Sequence, residues 1–311
     1  MQKTAFLFPG QGSQSVGMMT GIAEHSGLVE QTFEEASGVL GYDLWAVTRD
    51  GPVERLGQTE ITQPALLAAG IATWRVWKEL GGFNPDFLAG HSLGEYTALV
   101  AAGSIEFTDA ISLVAARGMM MQEATPAGSG AMAAVIGLDD EVLAGICEKA
   151  AQGQVVSCAN FNSPGQIVIA GNREAVDRAC SLASEAGARA AIPLSVSAPS
   201  HCLLMRPAAE RLEKLLAELT ISAGKIPVIH NVDVAAHDES DGIRSALAMQ
   251  LWQPVRWSAT IQSLVNMGAE RFVECGPGKV LAGLNRRISR DIKTVALVDY
   301  ATLVETAKSW S

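Results

Sequence analysis

Gly90-His91-Ser92-Leu93-Gly94 has the G-x-S-x-G spacing of a nucleophile elbow. Small residues on either side of the serine let the chain turn sharply from a strand into a helix. The turn exposes the hydroxyl, and the helix N-terminus favours a developing oxyanion beside it. The surrounding sequence supplies both partners, a strand pattern over 85–90 and a helical one over 94–102. Nucleophilic chemistry through Ser92 is therefore favoured over an ordinary serine in a Gly-rich turn.

An elbow serine needs a base. His91 adjoins it, but neighbours in a tight turn point different ways. His25 lies in a polar helical stretch and reads as solvated. His230 and His237 flank a strand-like Val232-Asp233-Val234, and His237, among Asp and Glu, reads as a surface residue. His201, in the segment Val196 to His201, lies where a small central domain should rejoin the core, and such a hinge tends to line a cleft. It follows the serine in chain order, as the base does in α/β-hydrolase-like sites. The competing reading is a capping or core histidine, and no acid between Ser92 and His201 offers itself as a third member.

These residues must be held by a scaffold, and 311 residues suffice for one large domain or two smaller ones. A strand over 4–8 ends in the turn Gly10-Gln11-Gly12. Helical patterns run over 22–40 and 63–80, and Thr108-Asp109 reads as the N-cap of a helix reaching 124. The stretch 125–130 breaks the chain. Beyond it the order is strand (131–136), helix (139–151), strands (155–159 and 166–170) around an Asn-Ser-Pro-Gly turn, helix (173–186) and strand (189–194). That is the split β-α-β-β-α-β pattern of a ferredoxin-like unit. Helices over 207–219 and 243–251 then alternate with strand-like 227–234 and 271–274, and a further helix follows Lys279. The expected fold is α/β: an α/β-hydrolase-like core from 1–127 and 199–311 with a short, mostly parallel sheet, plus a ferredoxin-like insert over 128–198.

Composition narrows the function classes. With 48% apolar and 18% charged residues the chain is not disordered, and a net charge of −10 argues against a general nucleic-acid binder. No apolar run reaches the roughly 18 residues that span a bilayer. The N-terminal apolar stretch is too short for a signal peptide. Five cysteines without a C-x-x-C pair suggest reduced thiols in a cytoplasmic protein and argue against structural zinc. Gly10-x-Gly12-x-x-Ser15 lacks the third glycine of a dinucleotide fingerprint, and Gly278-Lys279 lacks the rest of a P-loop.

Phe8 to Gln14, Gly90 to Glu95, Arg117, Asn160 to Gln166, Pro199-Ser200-His201 and Glu274 to Lys279 together resemble, in order and spacing, the malonyl-CoA:acyl carrier protein transacylases of bacterial type II fatty-acid synthesis. The resemblance covers essentially the whole chain. It implies ping-pong transfer of malonyl from CoA to the phosphopantetheine thiol of acyl carrier protein through a malonyl-Ser92 ester, with His201 as base and acid. It further implies an oxyanion hole from the backbone N–H groups of Gln11 and Leu93, and a backbone carbonyl at Gln250 orienting His201 in place of an acid. Arg117 would grip the malonyl carboxylate through two parallel hydrogen bonds; without the resemblance it would read as an exposed arginine at a helix end. Asn160 and Asn162 would face the cleft, although they could instead form the hairpin turn. Malonyl-CoA enters as a substrate, no cofactor is expected, and the chain is expected to work as a monomer.

Acyl carrier proteins are acidic, and so is this chain, so docking needs a local basic patch. Lys279, Arg286, Arg287, Arg290 and Lys293 form the densest cationic stretch. The alternative is a solvated helix face. Other readings of the whole are a serine thioesterase or hydrolase, a malonyl transferase serving malonate decarboxylase or polyketide synthesis, and a non-catalytic carrier-binding module.

Overall fold

The computed structural model describes residues 2–126, 128–194 and 198–310. Its strands, in chain order, are β1 (Lys3–Phe8), β2 (Phe87–Gly90), β3 (Gly130–Ile136), β4 (Val156–Ser163), β5 (Gln166–Asn172), β6 (Ala190–Pro193), β7 (Val228–Ile229), β8 (Ala269–Glu274) and β9 (Thr294–Ala296). They form a mixed α/β architecture with two separate sheets. The first has the order β7-β2-β1-β8-β9 with every pair parallel.

The central strand β1 is buried on both faces, which is why it reads as a continuous apolar run. Its side chains alternate: Phe6 and Phe8 enter the core formed with the helix Thr59–Glu79, while Ala5 and Leu7 enter a second core containing Trp257 and Ile261. β2 pairs with β1 in register from Phe87 to Gly90, so the elbow emerges at the sheet's centre.

The second sheet has the order β4-β5-β3-β6 with antiparallel pairs. One face packs on the helices Asp140–Ala151 and Arg173–Glu185 through Val135, Ile167, Leu143 and Val176. Met132, Ala134 and Val168, on the other face, line the cleft between the sheets. β4 also joins the two halves: Phe161 N donates to Val255 O at 2.9 Å and Val255 N to Ala159 O at 2.9 Å.

Several expectations need correction. The pattern over 22–40 is two helices, Thr20–Ala23 and Leu28–Leu40, broken around Ser26-Gly27. Thr108-Asp109 is not a cap; the helix Phe107–Glu123 begins earlier, with Glu106 at its N-cap. β4 extends through Asn160 and Asn162, so neither forms the hairpin turn, which falls at Pro164-Gly165. Only Val228–Ile229 of 227–234 joins the sheet, and Val232 to Val234 lie in a turn. Of the hinge around His201, Val196 and Ser197 lie outside the described residues, as does Ala127 at the other domain border. Among the described residues no helix is long and apolar enough to cross a membrane, and no cluster of His, Cys, Asp and Glu could hold a metal ion.

Candidate active site

Ser92 sits between the end of β2 and the helix Leu93–Ala102, with φ 51° and ψ −107°. Gly90 and Gly94 are dictated by close approach. A Cβ on Gly90 would collide with the Gly94 carbonyl, and one on Gly94 with the Phe8 carbonyl. The elbow can therefore form only with glycine at both positions.

His201 meets Ser92 from the segment after the second sheet. Its Nε2 lies 2.8 Å from Ser92 Oγ, and its Nδ1 lies 2.7 Å from the Gln250 carbonyl. A carbonyl only accepts, so Nδ1 carries the proton and Nε2 presents its lone pair to the serine hydroxyl. The backbone supports this placement: His201 has φ 62°, and its N donates to Leu251 O at 3.1 Å. Burial, followed by the positive charge of Arg117, pushes the His201 pKa down to about 3. The ring is therefore a neutral base at physiological pH. A backbone carbonyl occupies the place of a triad acid, so no acidic residue in the sequence could have revealed it.

Arg117, on the helix Phe107–Glu123, is 1% exposed. Its Nη1 donates to Gln63 Oε1 at 2.7 Å, and its Nη2 donates to Gln250 Oε1 at 3.0 Å and to Ser92 Oγ at 3.3 Å. The guanidinium carbon stands 5.2 Å from the centre of the Tyr96 ring. Burial pushes the Arg117 pKa below its ordinary value. Among the described residues no carboxylate lies within ion-pairing distance of it. A buried cation held only by neutral groups is costly and is suited to receiving an anion.

The cleft encloses about 440 Å³ and is lined by Gln11, Ser92, Leu93, Arg117, Asn160, Asn162 and His201. The backbone N–H groups of Gln11 and Leu93 have no acceptor among the described residues. Leu93 opens its helix, where the first amides have no partner within the helix. Asn160 and Asn162, two apart on β4, both reach the cleft. Asn162 Oδ1 accepts from His91 Nε2 at 2.8 Å, so His91 turns towards the second sheet and away from Ser92. Along the helix Val280–Ile288, Val280, Leu281 and Leu284 line the cleft, while Arg286 and Arg287 are exposed. Lys279, at the N-cap of that helix, is exposed too, and Arg287 donates to Gln166 at the start of β5.

Sequence reading missed four buried residues around the site. Gln63 holds Arg117. Glu95, His230 and Asn231 form a bonded group behind the elbow. His230, read only as flanking a strand-like segment, is 0% exposed and lies 2.7 Å from Glu95. One signal was available for Glu95, the sole charged residue in the otherwise largely apolar run Leu93–Ala102.

Known proteins align with this arrangement over their whole length. An acyl transferase domain model matches residues 5–306. The malonyl CoA-acyl carrier protein transacylase of Salmonella typhimurium is 54% identical, covering 97% of this chain and 98% of that protein. An acyl carrier protein S-malonyltransferase from Vibrio cholerae superposes with a TM-score of 0.96 at 58% identity, covering 98% of this chain and 99% of the other. A malonyl-transacylase solved in complex with a type II PKS acyl-carrier protein superposes with a TM-score of 0.98 at 51% identity, covering 99% of each chain. The elbow, its histidine and the buried arginine thus sit in a chain that belongs to the acyl transferase family, among its malonyl CoA-acyl carrier protein transacylases.

Proposed function

We infer that this chain transfers a malonyl group from CoA to the phosphopantetheine thiol of acyl carrier protein, for fatty-acid synthesis. The observation that carries the reading is Arg117, a buried cation with no carboxylate partner among the described residues, whose Nη2 lies 3.3 Å from Ser92 Oγ. An acyl group bearing its own carboxylate supplies the missing charge at that spot. An acetyl group cannot.

In the first half-reaction His201 Nε2 takes the proton of Ser92 as Oγ attacks the thioester carbonyl. The oxyanion forms where the N–H groups of Gln11 and Leu93 can donate to it. Collapse breaks the C–S bond, and the departing CoA thiolate takes the proton from His201. In the second half-reaction the carrier thiol gives its proton to His201 and attacks the ester. The proton then returns to Ser92 Oγ as malonyl leaves. No step calls for a cofactor, and malonyl-CoA enters as a substrate.

We further propose an α/β-hydrolase-like core over 1–127 and 199–311 and a ferredoxin-like insert over 128–198. The separate cores and the order β4-β5-β3-β6 in the smaller sheet support that division. Asn160 and Asn162 would contact the substrate from the insert. Carrier protein would dock at Lys279, Arg286 and Arg287 on the cleft's rim, in the cytoplasm.

Intact mass after brief exposure to malonyl-CoA tests the reading. The expected result is one malonyl adduct, absent in Ser92→Ala and discharged by carrier protein bearing its phosphopantetheine arm. Free malonate without an adduct would instead indicate a hydrolase. The carrier in the neighbouring complex belongs to a type II PKS, which favours one further reading, in which the physiological carrier serves polyketide synthesis. Comparing discharge by the two carrier classes separates them.

A further inference from the structure

Behind the elbow, Glu95, His230 and Asn231 are each 0% exposed. Buried polar groups persist where they are bonded, and these are bonded to the nucleophile's turn. Asn231 Oδ1 accepts from Ser92 N at 2.7 Å, and its Nδ2 donates to Gly90 O at 2.6 Å. One side-chain amide therefore ties down the backbone on both sides of His91. Asn231 is held in turn: its own N donates to Glu95 Oε2 at 2.8 Å, while Glu95 Oε1 and His230 Nδ1 lie 2.7 Å apart. Glu95 lies in the first turn of the helix that the elbow opens. The bonds close a ring from the elbow through Asn231 and Glu95 back to the elbow's helix.

Ser92 has a left-handed φ of 51°, which a residue with a side chain adopts only where its surroundings over-determine it. Two successive amides are also treated differently. Ser92 N–H is bonded to Asn231, whereas Leu93 N–H has no acceptor among the described residues. We propose that Asn231, fixed by Glu95 and His230, is a positioning residue for acyl transfer: it sets the Ser92 peptide so that Oγ meets His201 and the Leu93 N–H stays available for the oxyanion. The proposal rests on Ser92 being the nucleophile.

The test is rapid-quench acylation of the full chain by malonyl-CoA, read by intact mass, for wild type, Asn231→Ala, Glu95→Gln and the double variant. Asn231→Ala is expected to acylate about 100-fold more slowly at saturation, the scale of a misplaced nucleophile or lost oxyanion donor. Its half-saturating malonyl-CoA concentration should stay within about twofold of wild type. Glu95→Gln, close to isosteric, should lose about tenfold. The double variant should be no slower than Asn231→Ala, because Glu95 acts through Asn231. Misfolding lowers the fraction that reacts, not the rate of that fraction, so amplitude and rate are read separately. An unchanged rate, a loss confined to half-saturation, or losses that multiply in the double variant overturn the proposal. Should Asn231→Ala prove insoluble, Glu95→Gln decides by the same split of rate from amplitude. A wild-type chain that forms no adduct overturns the nucleophile reading as well, whereas a wild-type adduct with an unimpaired Asn231→Ala overturns this proposal alone.

Discussion

Gln250 Oε1 accepts from Arg117 Nη2 at 3.0 Å, while the carbonyl of the same Gln250 lies 2.7 Å from His201 Nδ1. One residue at the end of the helix Ser240–Gln250 thus sets both the base and the cation, through separate groups. Substitution can pull them apart. Gln250→Ala keeps the carbonyl that orients His201 but removes one of the two amides that aim Arg117. The malonyl-over-acetyl preference should fall about tenfold, the scale of one hydrogen bond to a charged group. Acetyl transfer should stay within a few-fold of wild type. Competing acylation by the two CoA esters measures the ratio, and an equal loss for both would trace instead to the Gln250 amide Nε2, which donates to Ser92 O at 3.0 Å.

Arg117→Ala removes the buried charge itself. Malonyl transfer should drop at least about 100-fold, within the 2–5 kcal/mol typical of truncating one partner of a buried charged pair. Acetyl transfer should be kept or gain, because an uncharged acyl group makes no use of the guanidinium. Arg117→Lys should not restore the wild-type rate, since a point charge cannot face Gln63, Gln250 and a carboxylate at once. Steady-state rates with both CoA esters check this, and a matching loss for acetyl would remove the clamp.

Much of this site was legible because it depends on local backbone rules. The strand, the two obligate glycines and the helix around Ser92 are near neighbours in sequence, so a short motif reports them. The β-α-β-β-α-β order of the small sheet was visible for the same reason. The rest depends on long-range contact. Gln63 meets Arg117 from a helix 54 residues away, and Asn231 meets Ser92 from 139 residues away. Neither separation leaves a periodic trace. The helix Trp257–Asn266 went unread because its Trp, Thr, Ile and Val carry weak intrinsic helix preference, overridden by packing of Trp257, Ile261 and Leu264 against Ala5 and Leu7. Arg117 was picked out only by the family resemblance; residue type and position alone would have read it as exposed, because only tertiary structure encloses it.

The cationic rim predicts a separation of substrates. Arg286 and Arg287 are exposed on the helix that lines the cleft through Val280, Leu281 and Leu284, with Arg287 donating to the cleft-lining Gln166, and the chain as a whole carries −10. An acidic carrier protein must therefore be met locally. Charge reversal in Arg286→Glu combined with Arg287→Glu should raise the carrier KM about tenfold at low ionic strength and leave the malonyl-CoA KM unchanged. Wild-type carrier KM should rise with added salt, and that of the variant much less. An unchanged carrier KM would move docking elsewhere.

The His201 pKa of about 3 makes the acid limb of the pH profile diagnostic. Acylation needs neutral Nε2, so kcat/KM for malonyl-CoA should stay level as pH falls from about 8 to about 5, where an ordinary histidine would already be mostly protonated. Stability follows with a definite sign. The unfolded chain regains an ordinary histidine near 6.5. Between about 6.5 and 3 it binds a proton that the folded chain does not. His201 therefore contributes stability that is complete above about pH 6.5 and is lost as pH falls toward 3. The melting midpoint should decline across that window, and less steeply in His201→Ala. Arg117 is the second cause of the depressed pKa, so Arg117→Ala assayed with acetyl-CoA should move the acid limb upward. A wild-type limb centred near pH 6.5 would mean that His201 is not shielded as the structure has it.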